Sequence, residues 1–408
     1  MALEFHQHTL PNGLTIIAET NDEAHTAAAG FFVSAGARDE DQPIMGVSHF
    51  LEHMLFKGTD RRTADDVNRE FDEIGANYNA YTSHEQTVYY AQVLPEYLGR
   101  ALDLLGDILR PALREDDFEM EKQVILEEIG MYNDRPQWRL QDTLLESYFH
   151  GHPLGYRVLG TEQSIKDLNV QQMRDYFTHR YSPDNIVLAA AGKVDFDRFV
   201  ADTSRLAGHW QPTGASRLYQ PPQVAERQQV MHDAKVARHY LAMMSPAPTA
   251  QDPSRYAARV LADVLGDAEG SRLYWALVDP GLADEADLIY VPYDRTGAFV
   301  GFASCGPQDA LAVERKMIET IDAFGPDITP EEVERAKNKL ATLATVSGEK
   351  PGGRMRDLGN QWLYLGEYSP LEQELERLKA VKVDDVKQVL AEFPFKPRTI
   401  VKLGPGEG

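Results

Sequence analysis

The stretch His49-Phe50-Leu51-Glu52-His53 decides how the chain is read. It places two imidazoles and a carboxylate within five residues, and on a helix these stand at i, i+3 and i+4, pointing the same way. Advancing by about 100° per residue, Val47, Phe50, Leu51, Met54 and Leu55 share one arc. His49, Glu52 and His53 share the opposite arc. The helix can bury one face on a core and present the polar trio to a cleft. Pro43 suits its first turn and Gly58 its end.

Two neutral imidazoles can hold a zinc ion, and a carboxylate between them can activate water. The order His-x-x-Glu-His inverts the commoner His-Glu-x-x-His. Alone, the pattern leaves two readings open, a metal site and a helix with ordinary surface histidines. A third ligand elsewhere decides between them. The acidic run from Glu115 to Met131 is a helix on which Met120, Val124, Ile125, Ile129 and Met131 form a broad apolar arc. Glu128 lies inside that arc, seven residues after Glu121 and almost directly above it, with Glu127 only at the edge. Glutamates are rarely buried without a partner. Two of them stacked on an apolar face ask for a cation or hydrogen-bond donors; a partly solvated helix with unimportant acids is the alternative.

The 408 residues suffice for two domains of ordinary size. Hydrophobic residues make up 43% and charged residues 26%, a globular balance. No apolar run is long enough to span a membrane. The start Met-Ala-Leu-Glu-Phe-His lacks the basic and apolar regions of a signal peptide, which predicts a cytoplasmic location. The single cysteine, Cys305, excludes an intrachain disulfide and a cysteine-based zinc site. A net charge of −23 argues against nucleic acid and anionic membranes as partners and favours basic peptides, unless it serves only solubility.

Along the chain, Leu3 to Ala18 reads as a hairpin around Asn12-Gly13, and Ala27 to Ala35 as a compact apolar strand. Thr63 caps a helix to about Ile74. Strands follow at Gly75 to Thr82 and Thr87 to Leu94, then helices at Glu96 to Leu109, Leu140 to Phe149 and Val170 to His179. A buried strand spans Asn185 to Gly192. Residues 208–225, rich in Pro, Gly and polar types, form a linker between domains at 1–207 and 226–408. The second half repeats the order without the histidines: a strand at His239 to Ser245, helices at Pro253 to Leu265 and Arg272 to Val278, and paired strands at Asp287 to Val291 and Ala298 to Ser304. Helices over 310–324, 330–345, 371–378 and 383–392 and a strand at Thr399 to Leu403 complete it. The expectation is an α+β fold of two related halves, each an antiparallel sheet covered by helices on one face.

The chain resembles the M16 (pitrilysin-like, inverzincin) peptidases, in their half-size bacterial and mitochondrial-processing-peptidase-like branch. The likeness rests on Leu10 to Leu14, Gly46 to Thr59, Asn79-Ala80-Tyr81-Thr82, Val124 to Glu128, His152 to Gly155, Asn185 with Gly192, and Glu334 to Lys337. It implies that His49, His53 and Glu128 hold zinc, that Glu52 is the general base, that Glu121 supports the site, and that Asn79 and Ala80 lie on an edge strand that pairs with extended peptide. It also implies a substrate chamber enclosed by a dimer. One departure stands out. The family's second-half segment resembles Leu-Arg-x-x-x-Gly-Leu-Ala-Tyr, whereas Leu277 to Asp284 is one residue shorter and has Val278 and Asp284 in place of the Arg and Tyr. This favours a heterodimer in which the chain bears the zinc and an M16-like subunit supplies the Arg/Tyr pair. A homodimer in which Arg272, Tyr274 or Tyr290 substitutes remains the alternative. A non-catalytic, peptide-binding scaffold subunit is the rival function.

Overall fold

The computed structural model describes residues 3–406. In chain order its strands are β1 (Glu4–Thr9), β2 (Thr15–Thr20), β3 (Ala27–Val33), β4 (Asn77–Thr82), β5 (Thr87–Val93), β6 (Ile186–Gly192), β7 (Arg227–His232), β8 (His239–Pro246), β9 (Glu285–Tyr293), β10 (Thr296–Cys305) and β11 (Thr399–Gly404). Its longer helices are α1 (Val47–Leu55), α2 (Ala64–Glu73), α3 (Leu98–Ile108), α4 (Glu115–Asn133), α5 (Pro136–Tyr148), α6 (Glu162–Asp167), α7 (Val170–Arg180) and α8 (Phe196–Ala207). They continue with α9 (Arg255–Gly266), α10 (Ala310–Asp322), α11 (Pro330–Gly348), α12 (Pro351–Leu365), α13 (Leu371–Ala380) and α14 (Val383–Glu392).

The α+β architecture of two related halves is present. One sheet has the order β1-β2-β6-β3-β5-β4 and the other β7-β11-β8-β10-β9. The last five positions of the first match the five of the second, so the repeat lies in the topology itself. Both sheets are antiparallel except for one parallel pair each, β2 with β6 and β7 with β11.

The helices add a feature that simple two-sided patterning does not reveal. In the first sheet Phe31, Leu188, Tyr89 and Ile16 face α1, α3 and α4. The alternate residues Ile17, Phe32, Val88 and Val187 face Met355 and Leu358 of α12, which comes from the second half of the sequence. In the second sheet Leu241, Met243, Phe299 and Ile400 pack under α9. Ala242, Met244, Ala298 and Val401 pack on Leu140, Leu144 and Tyr148 of α5, from the first half. Each sheet is therefore covered on both faces, which is why strands such as Ala27–Val33 and Ile186–Gly192 are buried along their whole length.

This exchange corrects the linear division at 1–207 and 226–408. The first unit runs to Gly130 and adds Tyr156–Leu218 and Thr345–Ser369. The second comprises Met131–Gly155, Tyr219–Ala344 and the chain from Pro370 onward. One crossing does fall inside 208–225. The two helical exchanges do not, because each sheet takes the helix for its second face from the opposite half.

Other local differences have physical causes. Pro43 lies in a separate short turn, Gln42–Ile44, and α1 starts after Gly46, whose φ is +93°. On α4 the packed stripe is Phe118, Glu121, Lys122, Ile125 and Ile129. Met120, Val124 and Met131 are exposed, so the apolar arc expected there is rotated. The helix expected at Arg272 to Val278 is present, and its last five residues, Tyr274–Val278, take the wider π-helical form. No helix among the described residues is long and apolar enough to cross a membrane.

Candidate metal centre

Helix α1 is set by its ends and by one aromatic contact. Its N-terminal amides are taken by Glu40, whose carboxylate accepts from the N–H groups of Gly46 at 2.7 Å and Ser48 at 2.8 Å. Burial raises this carboxyl to about 8, against the two amide hydrogen bonds that favour its charged form. A side chain at Gly46 would strike the Leu159 carbonyl at 2.6 Å, so glycine is required on two counts. Val47, Phe50, Leu51, Met54 and Leu55 are fully buried, as the helical spacing predicts. Phe50 stacks on Phe118 of α4, with ring centroids 4.6 Å apart and planes 10° from parallel. That stack draws α4 against α1.

The result is a cluster on the polar side. His49 Nε2 lies 3.8 Å and His53 Nε2 3.7 Å from Glu128 Oε2. One atom from each residue falls within 4.8 Å of the others. Ligands of a tetrahedral zinc at ordinary bond lengths stand roughly 3.3–3.5 Å apart, so small side-chain adjustments suffice. Glu128 Oε2 is buried with no hydrogen-bond partner. A buried acceptor with nothing to accept from is costly, and a cation between it and the imidazoles would remove that cost. His53 Nδ1 donates to Glu121 Oε1 at 2.9 Å, and Lys57 Nζ reaches Glu121 Oε2 at 2.5 Å. Such a carboxylate behind a ligand imidazole fixes its tautomer and turns Nε2 outward.

Among the protein's own groups the electrostatics are divided: burial opposes a proton on His53, but the hydrogen bond to Glu121 and the charge of Glu128 outweigh it and raise His53, whereas His49 is driven the other way. Burial, followed by the neighbouring His53, lowers His49 to about 3, which keeps it neutral and able to give a lone pair. Burial raises Glu128. It also raises Glu52, against a hydrogen bond that the Thr82 hydroxyl donates to Glu52 Oε2 at 2.6 Å. Glu52 projects from the same face of the same helix as the two imidazoles.

Asn79 and Ala80 lie on β4, an edge strand whose one sheet neighbour is β5. Asn79 is exposed, and its Oδ1 accepts from the Ala80 N–H at 2.8 Å, covering an amide that ladder pairing leaves over. Within the second unit, Val278 packs against the core and Asp284 pairs with Arg238. Arg272 is committed to Glu332 and Asp327, the Tyr290 hydroxyl donates to the Pro248 and Thr249 carbonyls, and Tyr274 lies edge-on to Trp275. Sequence reasoning did not single out Glu40, Lys57 or Thr82 for the site. Lys57 stands four residues after His53, a spacing that could have marked it.

Residues 15–162 match the family model described as insulinase (peptidase family M16), and residues 167–340 the model described as the peptidase M16 inactive domain. A protein named an uncharacterized zinc protease in Bacillus subtilis (strain 168) is 31% identical, over 98% of this chain and 98% of its own. One of the same description in Mycobacterium tuberculosis (strain ATCC 25618 / H37Rv) is 33% identical, over 99% of this chain and 94% of its own. Among solved structures, a protease from Helicobacter pylori superposes with a TM-score of 0.92 at 21% identity, covering 99% of this chain and 100% of the other. A putative M16-like peptidase from Alicyclobacillus acidocaldarius gives 0.87 at 24% identity, covering 100% and 99%. At those identities the superpositions establish the fold alone.

Proposed function

The chain belongs to the M16 peptidase family, and from that premise we propose that it is a zinc-dependent endopeptidase acting on unfolded peptides. The observation that carries this is the convergence of His49, His53 and Glu128 beside Glu52. His49, His53 and Glu128 would hold the ion, with Glu121 orienting His53. When bound, zinc supplies an acidified water and polarises the scissile carbonyl. Glu52 takes the proton from the attacking water and returns it to the departing amine. The free edge of β4 at Asn79 and Ala80 accepts the extended backbone of the peptide, with Asn79 Oδ1 giving up the Ala80 N–H to it. The net charge of −23 favours basic peptides.

The absence of the Arg/Tyr pair at Val278 and Asp284 supports a heterodimer, with a related subunit completing an enclosed chamber around the peptide. A homodimer is the alternative. The same absence favours the second reading, a peptide-binding scaffold without turnover. The test is cleavage of an unstructured basic peptide by the zinc-loaded chain, alone and mixed with a related subunit, with and without chelator. Chelator-sensitive cleavage only in the mixture is the expected result. Cleavage by the chain alone rules out the heterodimer requirement. A zinc-loaded chain that binds peptide and cleaves none in either preparation is the scaffold. Glu52→Gln should retain zinc and lose about 10²–10⁴-fold in kcat.

A further inference from the structure

The Thr82 hydroxyl is the one side-chain donor that hydrogen-bonds Glu52 among the described residues, at 2.6 Å. It has a single proton and two neighbours that could accept it, Glu52 Oε2 and the Thr87 hydroxyl at 3.3 Å. The Thr87 proton is already committed, donated to the Ala35 carbonyl at 2.9 Å. The shorter, charge-assisted bond to Glu52 takes the Thr82 proton.

Thr82 is also held from behind. It closes β4, and the turn that follows it is clamped by three contacts. Gln86 Nε2 donates to Asn360 Oδ1 at 2.8 Å, the Tyr364 hydroxyl donates to Glu85 Oε2 at 2.9 Å, and Arg38 pairs with Glu85. Glu85 and Arg38 are almost wholly buried. A donor fixed in this way constrains its acceptor, whereas a donor on a loose loop would follow it.

We propose that Thr82 is a positioning residue for Glu52: it occupies Oε2, leaves Oε1 as the oxygen free to take a proton, and ties the base to the strand on which peptide docks. The inference rests on the peptidase reading above. Because Asn79, Ala80 and Thr82 share β4, peptide pairing on that edge and the aim of the base are set by one element. Thr82 then acts on the chemical step and leaves docking unchanged.

The experiment measures kcat and KM for an internally quenched, unstructured basic peptide. It uses the zinc-loaded protein in whichever preparation, alone or mixed, cleaves that peptide. Thr82→Val keeps the shape and the strand preference and removes the donor. Its kcat should fall on the order of 10–100-fold, as for loss of a group that orients a reacting side chain. KM should stay within about twofold and zinc content should be unchanged, because docking and ligation are untouched. Thr82→Ser restores the donor and should recover kcat to within about threefold of the parent. An unchanged kcat in Thr82→Val, a loss confined to KM, or a serine variant as impaired as the valine one overturns the inference. If valine lowers the melting temperature, Thr82→Ala is read by the same criteria. A zinc-loaded parent that cleaves nothing overturns the peptidase reading. An active parent matched by an equally active Thr82→Val overturns the role of Thr82 alone.

Discussion

Glu121 touches no proposed ligand atom, yet it holds His53 through Nδ1 and is itself held by Lys57. Replacing it by Gln leaves the three ligands in place but removes the charge that orients one of them. Zinc affinity should fall about 10–100-fold, measured by competition with a chromophoric chelator; an unchanged affinity would deny Glu121 that part. A second residue-scale expectation concerns Asp287 on β9. Burial, and then the nearby Glu285 carboxylate, raise it to about 7. The unfolded value is ~3.9, so the folded state holds the proton more tightly across the interval between. The stabilising contribution is complete below about pH 4 and is lost as pH rises through about 7. Asp287→Asn is neutral throughout. It should add roughly 1–3 kcal/mol at pH 8 and change stability by less than about 0.5 kcal/mol at pH 4. Urea unfolding midpoints at the two pH values decide the matter, and equal gains at both would contradict the burial argument. At this scale the site was largely readable. His49, Glu52 and His53 share a face by helical spacing, and Glu121 and Glu128 by their seven-residue separation, although the apolar arc expected around Glu128 is rotated. Thr82 and Glu40 reach α1 across a strand end and a turn, and no local period encodes such contacts.

Among elements, α12 shows best what a propensity argument misses. Its Gly352, Gly353 and Gly359 depress helix preference, so the stretch does not announce itself. The structure explains Gly359: a Cβ there would lie 2.3 Å from the Phe32 ring, which is fully buried. Two effects of Gly359→Ala therefore compete. Helix propensity favours alanine by about 1 kcal/mol, while overpacking a buried aromatic ring costs roughly 1–3 kcal/mol. With Phe32 fixed between two layers, the clash should win and the melting temperature should drop; a rise would mean that α12 can lift off the sheet without penalty. Helix α4 offers a paired test of its rotated face. Met120 is 68% exposed and Ile125 is fully buried. Met120→Gln should change stability by less than about 0.5 kcal/mol, and Ile125→Ala should cost about 2–4 kcal/mol. Thermal melts of the two variants would refute this orientation of α4 if their order reversed. The hydrophobic wheel went astray here because Glu121 is buried against His53 and Lys57, and Lys122 donates to the Lys166 carbonyl, while methionine and valine tolerate solvent. Charge partners on other elements are invisible to a wheel. Strand β7 escaped notice for a related reason, since its alternate residues are mostly exposed.

For the molecule as a whole, the topological repeat was legible and its interlocking was not. The order of strands and helices recurs along the sequence, but nothing in that order says which sheet a helix will cover. A chain ending at Leu218 would contain every proposed metal ligand and lack α12. Its first sheet would expose Ile17, Phe32, Val88 and Val187. Such a fragment should fail to unfold cooperatively and should not retain zinc after dialysis. Supplying residues 345–369 as a separate peptide should restore both properties at least in part; a fragment that folds and holds zinc unaided would show that the second face needs no cover. The exchanged helices also set a timetable for biosynthesis. At about 5–20 residues per second, a ribosome needs roughly eight to thirty seconds to pass from Leu218 to Ser369. Throughout that interval the nascent first sheet presents a bare apolar face, so this protein should depend on ribosome-associated chaperones more than its stability once finished would suggest.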